Sequence, residues 1–209
     1  VEKEYEPYAK QIFGNTPEMI EFFSKRLNYD YPWSKYSQIT ARDYVSGAME
    51  NTTAVLHQES AQQKPGDLID ENKWEDVISH ELFHHWFGDL VTTESWSNLT
   101  VNESFANYSE YLWNEYKYGK DFADYTLMKA AEGYFRDPSN VSKDLVRFDY
   151  HSREDMFDGV SYNKGGSILH MLRNYLGDDA FFAGLNAYLK TNEYGTGEAQ
   201  QLRLSLEKV

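Results

Sequence analysis

Cysteine is absent from the 209 residues, and that absence removes disulfides, thiolate metal sites and cysteine nucleophiles together. Any metal held by this chain must be held by histidines and carboxylates. Positive charge is scarce as well: 20 Lys and Arg stand against 34 Asp and Glu, a net charge of −14. Such a surface repels a phosphate backbone, and no local basic patch reverses the sign, so nucleic acid is not expected as a partner. No apolar run approaches the roughly 18 residues of a membrane span, and the acidic start Val1-Glu2-Lys3-Glu4 is unlike a secretory signal. Proline is rare, with five residues, and no Gly/Ser/Pro tract divides the chain. What is present is a 41% hydrophobic, 16% aromatic composition, enough to build one folded core.

The pattern along the chain predicts an α+β fold in which helices dominate and the few strands come early. Thr16 is placed to cap a helix with Pro17 in its first turn and Met19, Ile20, Phe22, Phe23 and Leu27 at helical spacing. Gln38 to Val45 and Thr52 to Leu56 read as short strands. Asn72 and Glu75 have the capping-box layout before a helix expected to run to about Gly88. Further helices are expected from about Asn98–Asn102 to Gly119, Asp121 to before Pro138, Asn163 to Gly177, Asp178 to about Lys190, and Gly197 onward. Residues 138–162 form a long polar connection of the kind that is usually functional. The chain starts without Met and stops within a helical pattern, so it is expected to be a piece of a longer protein.

The most informative stretch is His80-Glu81-Leu82-Phe83-His84. Residues four apart on a helix lie about 40° apart around its axis, so both imidazoles face one side at a separation that suits zinc. Glu81 sits beside them, placed to act as a general base. The alternative is a chance pair of histidines on an acidic helix. A catalytic zinc needs a third protein ligand. A metzincin-type third histidine is excluded, because positions 87 and 90 are Phe and Leu. A carboxylate on a second helix is the other route, and Glu103 follows His84 after 18 intervening residues. Glu110, seven residues on, falls on the same face as Glu103, either as a hydrogen-bond partner of a ligating histidine or as a solvated charge. His85 points about 100° away from His84 and reads as structural.

With Trp86-Phe87-Gly88, Trp96 and Val101-Asn102-Glu103-Ser104-Phe105-Ala106, this stretch resembles the zinc signature of the aminopeptidase N family of gluzincins, peptidase family M1. Tyr31-Pro32-Trp33-Ser34-Lys35-Tyr36, Gly47-Ala48-Met49-Glu50-Asn51 and Ser161-Tyr162-Asn163-Lys164-Gly165-Gly166 match further segments of that family in order and spacing.

The resemblance implies a thermolysin-like (zincin) catalytic domain truncated at both ends, with a remnant of the N-terminal sheet. Residues 1–58 would hold a helix, the sheet-edge strands and the exopeptidase motif, and residues 59–209 the helical zinc-binding part. It implies one Zn²⁺ on His80, His84 and Glu103, with Glu81 as base and Tyr162 as donor to the developing oxyanion. Glu50 would pair with the free α-ammonium of a peptide, in a substrate-binding segment with Gly47, Ala48, Met49 and Asn51. His151 is the rival oxyanion donor. Ser104 and Asp89 depart from the family, which most often has Gly and Asn there. The implied substrates are peptides with a free N-terminus, and the implied missing partners are N- and C-terminal domains of the same chain. The alternatives are a same-fold hydrolase of other scope, a silent peptide-binding homologue, and a purely structural zinc. The location is open, with a lean towards an extracytoplasmic bacterial setting.

Overall fold

Eight α-helices carry most of the architecture, and the computed structural model describes all 209 residues. A short helix α1 (Ala9–Phe13) precedes α2 (Thr16–Leu27), which buries Met19, Phe23 and Leu27 along one stripe. Thr16 is the first residue of α2 and not its cap; its hydroxyl accepts from Gln38 Nε2 at 2.9 Å. Strands β1 (Ser37–Ala41), β2 (Ala48–Met49) and β3 (Ala54–Gln58) form a sheet in the order β1-β3-β2, with β1 parallel and β2 antiparallel to β3. The strand expected to reach Val45 stops at Ala41, where a turn with Asp43 at φ 52° redirects the chain.

Helix α3 (Glu75–Phe83) begins where the sequence places a helix, but not by a capping box. Asn72 does accept from the Trp74 N–H, whereas Glu75 is a buried acceptor for the Trp113 indole at 2.6 Å and the Tyr118 hydroxyl at 2.9 Å. Regular helix ends at Phe83, five residues before Gly88, because the His85 and Trp86 N–H groups bond only three residues back. Then follow β4 (Val91–Thr93), α4 (Thr100–Tyr118) and α5 (Lys120–Arg136). The long polar connection contains helical turns at Pro138–Ser142 and Arg153–Met156. It closes on a π-helical turn, Val160–Lys164, that runs into α6 (Gly165–Leu176). Helix α7 (Asp178–Asn192), β5 (Gly195–Gly197) and α8 (Ala199–Leu206) complete the chain, with β5 parallel to β4.

The core lies behind α3 and α4. Leu82 is two steps of about 100° from His80 around α3, so the helix buries Ile78 and Leu82 on the side away from the histidines. Phe87 stacks between Phe83 (5.2 Å between centroids) and Phe105 (4.2 Å, 4° between planes), with Tyr188 of α7 beyond at 6.1 Å. Ring pairs of this kind add roughly 0.5–1.5 kcal/mol each beyond their buried area, so this stack fixes α3 against α4 and thereby sets the spacing of the side chains on their other faces. No helix is long and apolar enough to cross a membrane.

Candidate metal centre

His80 and His84 stand at the C-terminal end of α3, and Glu103 stands in the first turn of α4. These helix ends favour positive and negative charge respectively, so each side chain occupies the end that suits it. His84 lies just past α3 but keeps helical backbone angles (φ −56°, ψ −24°), which preserves the i, i+4 alignment. Glu103 Oε2 is 3.3 Å from His80 Nε2 and 3.3 Å from His84 Nε2. All three groups are nearly buried, and their ligand atoms lie within 4.8 Å of one another.

The other ring nitrogens fix which atoms point inward. His84 Nδ1 is 3.0 Å from the Phe87 carbonyl, which can only accept, so Nδ1 donates there and Nε2 is the nitrogen turned towards Glu103. Glu110 Oε1 is 2.8 Å from His80 Nδ1 and fixes the same tautomer there. Gly88 is required beneath His84: at φ 151° its added Cβ would lie 3.0 Å from the His84 carbonyl oxygen and 3.1 Å from His84 Nδ1.

The electrostatics follow from the geometry. Burial opposes charge on both histidines, but Glu103 and Glu110 outweigh it at His80, and Glu50 with Glu103 pushes His84 up to about 10. Burial likewise opposes the Glu103 carboxylate, yet His84 and His80 hold it well below the usual range. The field at this point draws positive charge onto two ring nitrogens. A divalent cation would replace both protons, and two ligands on a tetrahedral zinc with bonds of roughly 2.0–2.1 Å are about 3.3–3.4 Å apart. The donor set therefore fits a zinc ion.

Glu81 is 6% exposed, and its Oε2 has no hydrogen-bond partner within the chain. Burial pushes this carboxyl up to about 7, with the His80 and His84 charges opposing and Glu50 adding to the rise. Tyr162 lies with its ring nearly parallel to His80, 5.9 Å between centroids. Burial, then the carboxylates of Glu103, Glu81 and Glu50, raise its phenol far above the ordinary value, so it is a neutral donor.

These groups line one cleft of about 1180 Å³ together with Ala48, Met49, Glu50, Asn51, Trp96 and Phe157. Glu50, Glu81 and His84 also bring ligand atoms within 4.8 Å of one another. Gly47 is the one member of the expected substrate segment that does not line the cleft; no atom of the chain lies within 4 Å of where its Cβ would be. His151 is exposed and does not line it either. A second cavity of about 800 Å³ beside α2 and α7 has internally paired charges, Arg173 bridging Glu115 and Asp178 at 2.7 Å each.

His85 is fully buried, and its Nε2 accepts the Thr53 N–H at 3.0 Å while Nδ1 donates to the Glu81 carbonyl at 3.2 Å. It thereby fastens the loop after Glu50 to α3. Thr53 adopts φ 64°, a rare and strained conformation for a β-branched residue, at the point where this bond holds the loop. Asp89 was not singled out from sequence as part of the site. It lines the cleft with Oδ2 buried, without a hydrogen bond and 3.7 Å from His85 Nε2, and burial followed by Glu50 pushes it up to about 7. Its only signal in the sequence was the departure from Asn.

The peptidase family M1 domain matches residues 12–209. The chain belongs to peptidase family M1. Similar relatives include aminopeptidase N of Streptomyces lividans, 34% identical over 208 residues covering 96% of this chain and 24% of the relative. Endoplasmic reticulum aminopeptidase 2 of Homo sapiens is 35% identical over 194 residues, 90% of this chain and 20% of the relative. Aminopeptidase M1 of Arabidopsis thaliana is 33% identical over 198 residues, with 90% and 22% covered. The chain thus spans a fifth to a quarter of the length of the relatives it matches. Family M1 is a family of metallopeptidases, and every group in the cleft described above falls within its matched region.

Proposed function

We propose that this chain is the metal-bearing part of a thermolysin-like domain in a zinc-dependent aminopeptidase, which removes residues one at a time from the free N-terminus of peptides. The observation that carries the reading is the meeting of His80 Nε2, His84 Nε2 and Glu103 Oε2 at 3.3 Å contacts in the same cleft as Glu50, Glu81 and Tyr162. His80, His84 and Glu103 would hold the ion, which when bound acts as a Lewis acid that polarises a carbonyl and lowers the pKa of water to about 7. Glu110 and the Phe87 carbonyl keep the two imidazoles in the ligating tautomer.

Glu81 Oε2, buried and unpartnered, takes the proton from water as it attacks the scissile carbonyl and returns it to the leaving amine. The Tyr162 hydroxyl donates to the oxygen on which negative charge develops. Glu50 accepts the substrate's α-ammonium, and an anchored terminus leaves only the first peptide bond at the reacting position. An endopeptidase would need room for chain on the far side of Glu50.

The test uses the full-length enzyme and an aminoacyl amide in free and N-acetylated forms. Free-amine substrate should be cleaved and the acetylated form should not. Glu81→Gln should retain stoichiometric zinc while turnover falls by roughly 10²–10⁴. Cleavage of both forms at similar rates would contradict exopeptidase action, and retained turnover in Glu81→Gln would contradict the assignment of the base.

A further inference from the structure

Glu103 and Tyr162 lie on different elements, yet the residues that follow and precede them are joined directly. Ser104 Oγ donates to the Ser161 carbonyl at 2.6 Å, and both residues are essentially inaccessible to solvent. A carbonyl only accepts, so the single hydroxyl proton of Ser104 is committed to Ser161. The 2.6 Å contact between Thr100 Oγ1 and Ser104 Oγ is therefore donated by Thr100, giving a buried chain Thr100 to Ser104 to Ser161.

The receiving end is unusual backbone. Residues Val160–Lys164 form a π turn in which the Lys164 N–H bonds to the Gly159 carbonyl five residues back, a rare geometry that needs outside support. Asp158 Oδ1 accepts the Val160 and Ser161 N–H groups at 3.0 and 3.1 Å, and Ser161 Oγ donates to the Met156 carbonyl at 2.5 Å. Gly165 allows the contact with α4: its added Cβ would fall 1.8 Å from Ser104 Oγ. Glycine at position 104, which the resemblance would lead one to expect, has no hydroxyl to offer the turn.

We propose that Ser104 is a positioning residue for the reaction: its hydroxyl locks the π turn to α4 and so sets Tyr162 over the His80, His84 and Glu103 cluster. This rests on the aminopeptidase reading above for its kinetic consequence, and on geometry alone for its structural one. Ser104→Ala in the full-length enzyme should lower kcat about tenfold, the scale of one lost buried hydrogen bond, with KM and zinc content unchanged. In a Tyr162→Phe background the same substitution should cost nothing further in kcat, because the phenol it positions is gone; a general packing defect would cost the same in both. Independently of activity, backbone amide exchange across residues 160–166 should speed up in Ser104→Ala while that of α3 stays the same. Ser104→Gly should behave like Ser104→Ala and serves as the second variant if the first is poorly folded. Unchanged kcat, equal losses in the two backgrounds, or unchanged exchange over 160–166 would each overturn the proposal. A wild-type enzyme inactive on free-amine substrates would sink the aminopeptidase reading, and the exchange measurement would still decide the role of Ser104.

Discussion

At the scale of single residues, the cleft works by opposing burial with charge. Glu81 is buried and Tyr162 half-buried, and both are shifted upwards, but to different ends: in the proposed mechanism one is the base and the other the protonated donor. Their roles separate because burial acts on each group's charged form, and the phenol starts from a reference near about 10 while the carboxyl starts near about 4. Tyr162→Phe removes only the donor. In the full-length enzyme it should lower kcat by roughly 10²–10³ with little change in KM, as expected for a contact made chiefly in the transition state. Steady-state kinetics on a free-amine substrate check this, and an unchanged kcat would move the role to another group. His151 is a poor successor, being exposed outside the cleft.

At the scale of elements, two junctions decide whether the site holds together. The turn after α3 depends on Gly88, where a φ of 151° and the closeness of His84 would strain any Cβ. Gly88→Ala should cost about 1–3 kcal/mol of stability and weaken zinc binding by displacing His84, which competition with a chelator would measure; unaltered affinity would show that the turn can adjust. The sheet meets α3 through His57 of β3. The Trp74 indole donates to His57 Nδ1 at 3.1 Å, so Nε2 carries the proton and faces Gln38 Oε1 at 3.2 Å. Burial lowers His57 to about 4. The unfolded chain takes up a proton below about 6.5 whereas the folded one resists until about 4, so stability is full above 6.5 and declines as pH falls through that window. The decline amounts to about 3 kcal/mol. Urea midpoints between pH 7 and 4.5 should fall in the wild type and fall markedly less in His57→Gln; equal slopes would refute the linkage.

The same scale shows what could be read in advance. That His80 and His84 share one side of α3 follows from helical periodicity, which converts short spacings into directions, whereas Glu103, on another helix, follows only as a downstream carboxylate and from the family resemblance. The ends of α2, α4, α6 and α7 were legible from Pro17, Gly119 and Gly177, residues whose backbone preferences punctuate the chain. The pairing of β4 with β5 was not, since it joins three-residue strands about a hundred positions apart whose partners are set by tertiary packing. Glu75 has the spacing of a capping residue, but its partners Trp113 and Tyr118 come from α4, which local sequence cannot show. The π turn at Tyr162 carries no propensity signal of its own, and its support from Ser104 and Asp158 appears only once α4 and the 138–162 connection are folded together.

At the scale of the molecule, the aromatic stack of Phe83, Phe87, Phe105 and Tyr188 sets the separation of α3 and α4, and the ligand atoms on the opposite faces inherit that separation. On the proposed reading this separation holds one zinc ion. The chain offers two candidate groupings that share His84, one with His80 and Glu103, the other with Glu50 and Glu81. Anomalous diffraction at the zinc absorption edge from crystals of the full-length enzyme distinguishes them directly. One peak of full occupancy is expected roughly 2.0–2.2 Å from His80 Nε2, His84 Nε2 and a Glu103 oxygen, with Glu50 and Glu81 uncoordinated. No peak among those three atoms, or a principal peak between Glu50, Glu81 and His84, would contradict it.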